Sequence, residues 1–121
     1  MNYYEFYKKS NESVVDFWKE QSQNIAWFSN PKTILSNDSN DYPLWFEDGE
    51  LNACYLAVDK HIEDGFGEQV AIIYDSPVTQ TVKRYTFNEV KTEVAKLAGG
   101  LLSLGLEKGD TAVIYMPMIP Q

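Results

Sequence analysis

The segment from Thr86 to Gly105 constrains the fold more than any other part of the sequence. Its start, Thr86-Phe87-Asn88-Glu89, fits a capping box, in which the Thr86 hydroxyl and the Glu89 carboxylate satisfy backbone donors at a helix N-terminus. One helical face is apolar at offsets of three and four and carries Phe87, Val90, Val94, Leu97, Ala98, Leu101 and Leu104. Gly105 supplies a left-handed stop, after which Leu106 can complete a Schellman ending. This pattern predicts a helix from Phe87 to Leu104.

Strand-like runs lie on both sides of this helix. Residues 69–75 form a continuous apolar run, typical of a strand covered on both faces, and residues 82–86 alternate like a half-exposed strand. The turn-forming residues 76–81 predict a hairpin between them. Residues 111–116 predict a further buried strand, so the order indicates an α/β fold with a β-hairpin and a β-α-β start of a sheet. We expect Gly99-Gly100 to allow the helix to approach this sheet closely, since each glycine otherwise costs about 1 kcal/mol.

The first part of the chain differs in composition and predicted structure. A helix is predicted from Ser10 to about Gln23, with Ser10 as its N-cap, and a second from about Asn52 to Glu63, ended by Gly65 or Gly67. Between them the chain is rich in Asn, Asp, Ser and Pro, which predicts irregular structure with a short extended piece at residues 33–35. We expect aromatic and apolar side chains to anchor this stretch, in particular Trp45, Phe46 and Leu51.

The charge of the chain excludes some partners. Eighteen acidic against ten basic residues give a net charge of −8, and no basic run exceeds two residues, so nucleic acid and anionic membrane surfaces are not expected to bind. The beginning of the chain lacks the apolar core of a secretory signal, which favours a cytoplasmic location. The run at residues 112–116 is apolar on both faces, and one helix covers only one of them. We therefore expect the chain alone to self-associate or to be marginally stable.

The residues that could carry chemistry do not form a recognisable motif. Cys54 is expected to be a small buried hydrophobe, and His61 to be a packed or rim residue of the second helix. Gly65-Phe66-Gly67 precedes a strand and is not continued as a dinucleotide-binding loop. The adjacent carboxylates Glu47-Asp48 and Glu63-Asp64 are expected to point apart and stay solvated. The prediction is that the chain contains no catalytic, cofactor-binding or metal-binding residue.

Several segments resemble the amino-terminal part of the AMP-forming short-chain acyl-CoA synthetases, the acetate and propionate ligases of the adenylate-forming superfamily. The matching segments are residues 17–21 (FWKEQ), 24–27 (NIAW), 45–55 (WFEDGELNACY), 59–61 (DKH), 71–79 (AIIYDSPVT), 85–86 (YT), 105–110 (GLEKGD) and 114–120 (IYMPMIP). They follow family order from about residue 17 onward. The turn at residues 76–79 and the closing MPMIPQ look most like the propionate-preferring branch. Leu56 stands where the family commonly has Asn, and Lys60 where it has Arg, which puts a bidentate contact there in doubt.

The resemblance implies a fold, a division of the chain and an activity. Residues 1–67 would be the acetyl-CoA-synthetase-type N-terminal region, and residues 68–121 the beginning of a truncated AMP-binding domain. The full-length family enzyme uses ATP, Mg²⁺ and CoA to convert a short-chain carboxylate first into an acyl-adenylate and then into an acyl-CoA. In the family the phosphate loop, the catalytic lysine and the CoA-contacting arginines lie beyond the MPMIP segment, so no catalytic residue carries over to this chain.

Two hypotheses follow. In the first, the chain is the N-terminal segment of such a ligase and is inactive alone. In the second, it is a stand-alone, non-enzymatic module that binds or regulates a full-length synthetase. The sequence decides neither the preference for acetate or propionate nor the oligomeric state, because the acyl pocket is not among these residues.

Overall fold

The computed structural model describes residues 2–119. They divide into two compact units, one ending at Ala53 and the other starting at Cys54. The first unit contains helices α1 (Tyr3–Glu12) and α2 (Val14–Ser22) and strands β1 (Leu35–Asn37) and β2 (Pro43–Trp45). The second contains two π-helical turns (Tyr55–Asp59 and Ile62–Phe66), strands β3 (Val70–Ser76) and β4 (Thr81–Thr86) and helix α3 (Phe87–Ser103). The described part is thus a mixture of helices and small antiparallel strand pairs, in keeping with the α/β class.

Helix α1 begins earlier than the sequence pattern predicted. Asn2 accepts the Glu5 backbone N–H at 3.0 Å, and its own backbone N–H donates to the Glu5 carboxylate at 3.1 Å, which completes a capping box. Ser10 is therefore interior to α1 and donates its hydroxyl to the Tyr7 carbonyl at 2.8 Å, so its prediction as an N-cap was wrong. The backbone of Ser13 (φ −134°, ψ 60°) interrupts the helix, and α2 starts at the next residue.

Phe17 is the centre of the first unit. Its side chain is only 2% exposed, and its ring packs edge-on against Phe6 of α1 and against Trp18, with centroid distances of 4.8 and 5.2 Å. In the same unit Ile34 is also buried. The small apolar core of this unit therefore depends heavily on one aromatic side chain.

The aromatic anchors of the irregular stretch are confirmed in part. Phe46 lies 5.5 Å from the Trp27 ring, and Trp45 lies 6.1 Å from Trp18 in an edge-on arrangement. Trp45 nevertheless remains 43% exposed, so truncation at this position will cost less than at a fully buried aromatic. Leu51 is exposed, so the prediction that it anchors the chain was wrong.

The hairpin predicted between residues 69 and 86 is confirmed. Strands β3 and β4 pair antiparallel, from Val70 opposite Thr86 to Ser76 opposite Thr81, with a bulge between Val70 and Ile72. The two strands form a sheet of their own. The expectation that β3 is covered on both faces was wrong for the described residues, because Ile73 is exposed and α3 packs beside only part of the hairpin.

Helix α3 follows the predicted pattern closely. Its capping box is present, with the Glu89 N–H donating to Thr86 Oγ1 at 3.2 Å and the Thr86 N–H to the Glu89 carboxylate at 2.8 Å. At its end, Gly105 has φ 93°, and the Leu106 N–H donates to the Leu101 carbonyl at 3.2 Å. These bonds form the expected Schellman ending.

Two expectations for the last third of the chain are contradicted. A Cβ atom on Gly99 or Gly100 would meet nothing within 4 Å, so neither glycine allows a close approach among the described residues. Residues 111–115 have no regular secondary structure, because no neighbouring strand pairs with them in the described part of the chain. A strand needs a hydrogen-bonded neighbour, which an apolar run cannot supply for itself.

None of the helices within residues 2–119 has both the length and the apolar character that crossing a membrane requires.

Candidate functional site

The π-helical segment, residues 55–66, carries six titratable side chains within twelve residues of the second unit. Wide turns of this kind are rare and often occur at functional sites. The segment carries a tyrosine, a histidine, a lysine and three carboxylates, namely Tyr55, Asp59, Lys60, His61, Glu63 and Asp64, and Glu68 lies just beyond it. This segment is therefore the candidate site, and its polar groups have the following partners.

The partner of Tyr55 is the Glu63 carboxylate. The phenol donates a hydrogen bond to Glu63 Oε2 at 2.7 Å, across the two π-helical turns. This bond raises the pKa of Tyr55 above its ordinary value of 10.0, and burial and the charge of Glu63 act in the same direction. A phenol that holds its proton more firmly is a hydrogen-bond donor and not a general base near neutral pH.

The two lysines of this region are also paired. Lys91 of α3 lies 2.8 Å from Asp59 Oδ1, and this hydrogen-bonded ion pair raises the pKa of Lys91. Lys60, which stands where the resembled family commonly has Arg, pairs with Asp64 one turn further on. The lysine therefore keeps a charge contact at this position. The Lys60–Asp64 pair could be foreseen from its spacing of four residues, whereas the Asp59–Lys91 pair depends on the fold.

His61 faces an aromatic ring. Its centroid lies 4.8 Å from that of Phe87, the first residue of α3, with 30° between the planes. Within residues 2–119 no side-chain hydrogen bond joins His61 to a hydroxyl, thiol or carboxylate. The half-buried His61 has the packed, rim position predicted from the sequence, and its geometry lacks the nucleophile and the orienting group that a catalytic base requires.

Two glycines, one at the end of this segment and one just beyond it, shape the chain before β3. Gly65 has φ 89°, where a side chain would be strained, and it turns the chain out of the second π-helical turn. At Gly67 a Cβ atom would lie 2.8 Å from the Asn88 amide nitrogen, and the Gly67 carbonyl accepts the Asn88 backbone N–H at 3.1 Å. The absence of a side chain at Gly67 therefore lets this turn fit against the start of α3.

In the first unit, the adjacent carboxylates Glu47 and Asp48 hold neighbouring parts of the chain by hydrogen bonds. Asp48 accepts backbone N–H bonds from Thr33 at 3.0 Å and from Lys32 at 3.1 Å, and Glu47 accepts the Ser36 hydroxyl at 2.8 Å. The two adjacent carboxylates thus bind different partners, and the bond from Thr33 is the main reason that the pKa of Asp48 lies below its ordinary 3.8. This carboxylate fixes the turn at residues 31–33.

We expect Asp48→Asn to lower the melting temperature by a few degrees near neutral pH, because the amide accepts these bonds more weakly. A carboxyl whose pKa is depressed by folding contributes stability above its unfolded pKa and loses it as the pH falls through the folded pKa. The difference between the two proteins should therefore shrink on acidification from about pH 5 to below pH 3.8. Thermal melts across this range test the prediction, with Glu47→Gln as control; a difference that does not vary with pH would contradict it.

Cys54 is exposed, so the expectation that it is a buried hydrophobe was wrong. It lies just before the π-helical segment. In that segment the buried apolar side chain is that of Val58. The offsets of three and four predicted a contiguous face, but the wider π winding rotates side chains away from α-helical positions.

A cleft of about 390 Å³ lies near the end of the described chain. It is lined by Tyr115, Met116 and Pro117, and none of these is a basic residue. In volume it falls within the range of small-molecule sites, but phosphate binding needs a cation or a cradle of backbone N–H groups.

The fit of a nucleotide with Mg²⁺ can be tested against the donors present. Magnesium prefers carboxylate oxygens and substrate phosphates, yet among the described residues no three His, Cys, Asp or Glu side chains come together. The carboxylates of the π-helical segment are instead bound to Tyr55, Lys60 and Lys91. The carboxylates of this segment are thus already engaged by protein donors, so the segment does not fit Mg²⁺ or a phosphate chain, and its polar groups hold the second unit together.

Comparisons with known proteins give this scaffold a context. The family model of the acetyl-coenzyme A synthetase N-terminus matches residues 3–57, and that of the AMP-binding enzymes matches residues 60–121. An uncharacterised Pseudomonas aeruginosa protein is 48% identical over 121 residues, all of this chain and 19% of its own length. The mitochondrial acyl-CoA synthetase short-chain family member 3 of Homo sapiens is 51% identical over 112 residues, 90% of this chain and 16% of its own length.

A third relative, the acetyl-coenzyme A synthetase of Streptomyces coelicolor, is 38% identical over 117 residues, 97% of this chain and 18% of its own length. The chain thus spans less than a fifth of the curated relatives that it matches. Its two matched regions follow one another as an N-terminal region and the start of an AMP-binding region. The chain therefore belongs to the AMP-binding enzyme family, and its residues correspond to the amino-terminal region of a short-chain acyl-CoA synthetase.

Proposed function

We propose that these residues are the amino-terminal part of an AMP-forming acetate or propionate–CoA ligase. The whole protein would use ATP and Mg²⁺ to convert a short-chain carboxylate into an acyl-adenylate, releasing pyrophosphate, and would then transfer the acyl group to the CoA thiolate. The stand-alone module remains the alternative, and no contact among the described residues favours it.

The observation that carries the proposal is the order of the two family matches. An acetyl-coenzyme A synthetase N-terminus at residues 3–57 is followed, after a gap of two residues, by an AMP-binding region at residues 60–121. Relatives with acyl-CoA or acetyl-CoA synthetase in their names match 90% or more of the chain. A regulatory module would not need to preserve both regions in this order.

In this proposal, residues 1–121 support the ligase and contain no group that touches the reacting atoms. The division expected from the sequence places the N-terminal region at residues 1–67 and the AMP-binding part at 68–121. The proposal also includes a cytoplasmic location, although the printed name of the human relative assigns that protein to the mitochondrion.

A chimera tests the proposed function. The 112 matching residues of the human short-chain synthetase would be replaced by the aligned part of this chain. We expect the chimera to form acyl-adenylate from acetate or propionate, measured as exchange of labelled pyrophosphate into ATP. Its rate should lie within about tenfold of that of the human protein, which corresponds to about 1.4 kcal/mol in activation free energy.

The human protein without its matching region serves as the negative control, and should show no exchange. A chimera that folds cooperatively but forms no acyl-adenylate with either acid would contradict the proposal, because the chain would then not serve as the N-terminal part of a ligase.

We also propose that the chain alone self-associates. Leu97, Leu104 and Ile114 expose most of their apolar surface, and surfaces of this kind seldom remain free in soluble monomers. Sedimentation should show a mass that rises with concentration above the 13.9 kDa of the monomer, despite the charge of −8. Leu97→Gln should reduce the association. A monodisperse monomer with a cooperative melt over the same concentrations would contradict the proposal.

A further inference from the structure

Aspartate followed by glycine occurs twice in the sequence, as Asp48-Gly49 and as Asp64-Gly65, and a glutamate precedes each pair. Such a pair is chemically weak, because glycine has no side chain to keep its backbone nitrogen away from the aspartate carboxyl. The nitrogen can attack this carboxyl and close a five-membered ring. Both pairs share this local chemistry, so a difference in their reactivity must come from the fold.

The first pair is held in place by hydrogen bonds on both of its residues. Both carboxylate oxygens of Asp48 accept the Lys32 backbone N–H at 3.1 Å, and Oδ1 also accepts that of Thr33 at 3.0 Å. The Gly49 N–H donates to the Phe46 carbonyl at 2.9 Å. Ring closure requires the carboxyl to leave its donors and the glycine nitrogen to turn toward it, so these bonds oppose the reaction.

Packing and charge oppose ring closure at the first pair as well. A Cβ atom on Gly49 would lie 2.8 Å from the Trp27 ring and 3.2 Å from the Pro31 side chain, so this backbone has little room to move. The bond from Thr33 is the main reason that the pKa of Asp48 lies below 3.8. A carboxyl loses an oxygen as water only when it is protonated, so a lower pKa further slows the reaction.

The second pair is open by comparison. Asp64 and Gly65 are both exposed, and in the described part of the chain a Cβ atom on Gly65 would meet nothing beyond its own neighbours within 4 Å. Gly65 has φ 89° and ψ 11°, so the backbone leaves the helical conformation directly after Asp64. The Asp64 carboxylate is bound by the Lys60 ammonium, in a pair whose side chains are 45% and 36% exposed. Surface pairs of this kind are weak, so the carboxylate is often released.

We propose that Asp64-Gly65 is a site of spontaneous aspartate isomerisation, and that the fold protects Asp48-Gly49 from the same reaction. The Gly65 nitrogen attacks Cγ of the protonated Asp64 carboxyl, so that an N–Cγ bond forms and the Cγ–OH bond breaks. The glycine N–H proton and the hydroxyl leave as water, and a cyclic succinimide remains. Water then adds to the main-chain carbonyl of residue 64 and opens the ring, which leaves isoaspartate joined to Gly65 through Cγ. Opening at Cγ instead restores aspartate.

Isomerisation would change the end of the π-helical segment. Isoaspartate adds one methylene group to the backbone and attaches the free carboxylate directly to Cα. The carboxylate then loses its position opposite Lys60, and the added methylene lies next to Glu63, which accepts the Tyr55 phenol at 2.7 Å. We therefore expect the converted chain to melt several degrees below the fresh chain. This inference is independent of the proposed ligase function, since it concerns a reaction of the chain itself.

Prolonged incubation of the 121-residue chain near neutral pH tests the inference. The peptides that contain each pair are separated, and isoaspartate in them is counted by an isoaspartyl methyltransferase with labelled S-adenosylmethionine. In the folded chain residue 64 should convert at least about tenfold faster than residue 48, which corresponds to about 1.4 kcal/mol in activation free energy. In denaturing guanidinium chloride the two rates should become nearly equal, because the fold no longer distinguishes the pairs.

Two matched variants identify the reacting residue. Asp64→Glu keeps the negative charge, but its ring would have six members and would close much more slowly. This variant should form no isoaspartate at residue 64 and should keep its melting temperature during incubation. Asp48→Glu removes the other pair and should leave the rate at residue 64 unchanged.

The contrary outcomes are distinct from one another. Equal rates at the two residues in the folded chain, a faster rate at residue 48, or no isoaspartate at residue 64 would each overturn the inference. A tenfold difference that persists in the denaturant would also overturn it, because the flanking sequence and not the fold would then be its cause. A fall in melting temperature that Asp64→Glu does not prevent would show that another change of the chain is responsible, and would contradict the expected structural effect.

Discussion

The 121-residue chain, purified alone, is expected to catalyse no carboxylate-dependent exchange of labelled pyrophosphate into ATP. Adenylation requires positioned phosphates and compensation of developing charge, which supply most of the acceleration in phosphate chemistry. Within residues 2–119 no three His, Cys, Asp or Glu side chains come together, and Lys91 and Lys60 are held by Asp59 and Asp64. The chain should therefore give the rate of a blank without enzyme.

The measurement compares the chain with the chimera under identical conditions, with acetate and with propionate. The chimera should exceed the blank by at least about a thousandfold, a modest fraction of ordinary enzymatic acceleration. Exchange above the blank by the chain alone, retained after repeated purification, would show that residues 1–121 contain an active site, and the assignment of a supporting role would then be wrong.

The parts of the fold that the sequence predicts well are those set by local chemistry. The capping box at Thr86 and Glu89 and the left-handed stop at Gly105 each depend on a few neighbouring residues, and both are present. The β3–β4 hairpin likewise follows from two strand-like runs with turn residues between them.

The errors arise where a residue's state depends on distant parts of the chain. Residues 111–116 have a strand's composition, but pairing requires a neighbour that the described residues do not supply. Cys54 was expected to be a buried hydrophobe and Leu51 to anchor its irregular segment, whereas the exposure of each depends on which surface covers it. The error at Ser10 has a different cause. A capping box at Asn2 starts the helix upstream, so Ser10 lies inside α1 and cannot be its N-cap.

In the candidate site, too, the features set by neighbouring residues could be predicted, and those that depend on the fold could not. The prediction that His61 is a packed residue needed only the apolar pattern around it, and the ring of Phe87 supplies the contact. The bond from Tyr55 to Glu63 and the pair between Asp59 and Lys91 could not be foreseen, because one spans two π-helical turns and the other joins α3 to a segment about thirty residues away.

Phe17→Ala is expected to have the largest effect on stability of any single substitution in the first unit. Phe17 is 2% exposed and packs edge-on against Phe6 and Trp18, so truncation removes two ring contacts and leaves a cavity. Replacement of a buried phenylalanine by alanine typically costs about 3–5 kcal/mol. Thermal and urea unfolding followed by near-UV circular dichroism would measure the loss.

Val15→Ala is the matched control, because Val15 lies on the same helix but is exposed, and its replacement should cost less than about 1 kcal/mol. Small domains have only about 5–15 kcal/mol of stability, and this unit has a small core. Phe17→Ala should therefore leave the first unit largely unfolded at moderate temperature, while the signals of the β3–β4 hairpin and α3 persist. Equal losses for the two variants would show that Phe17 does not centre the core of the first unit.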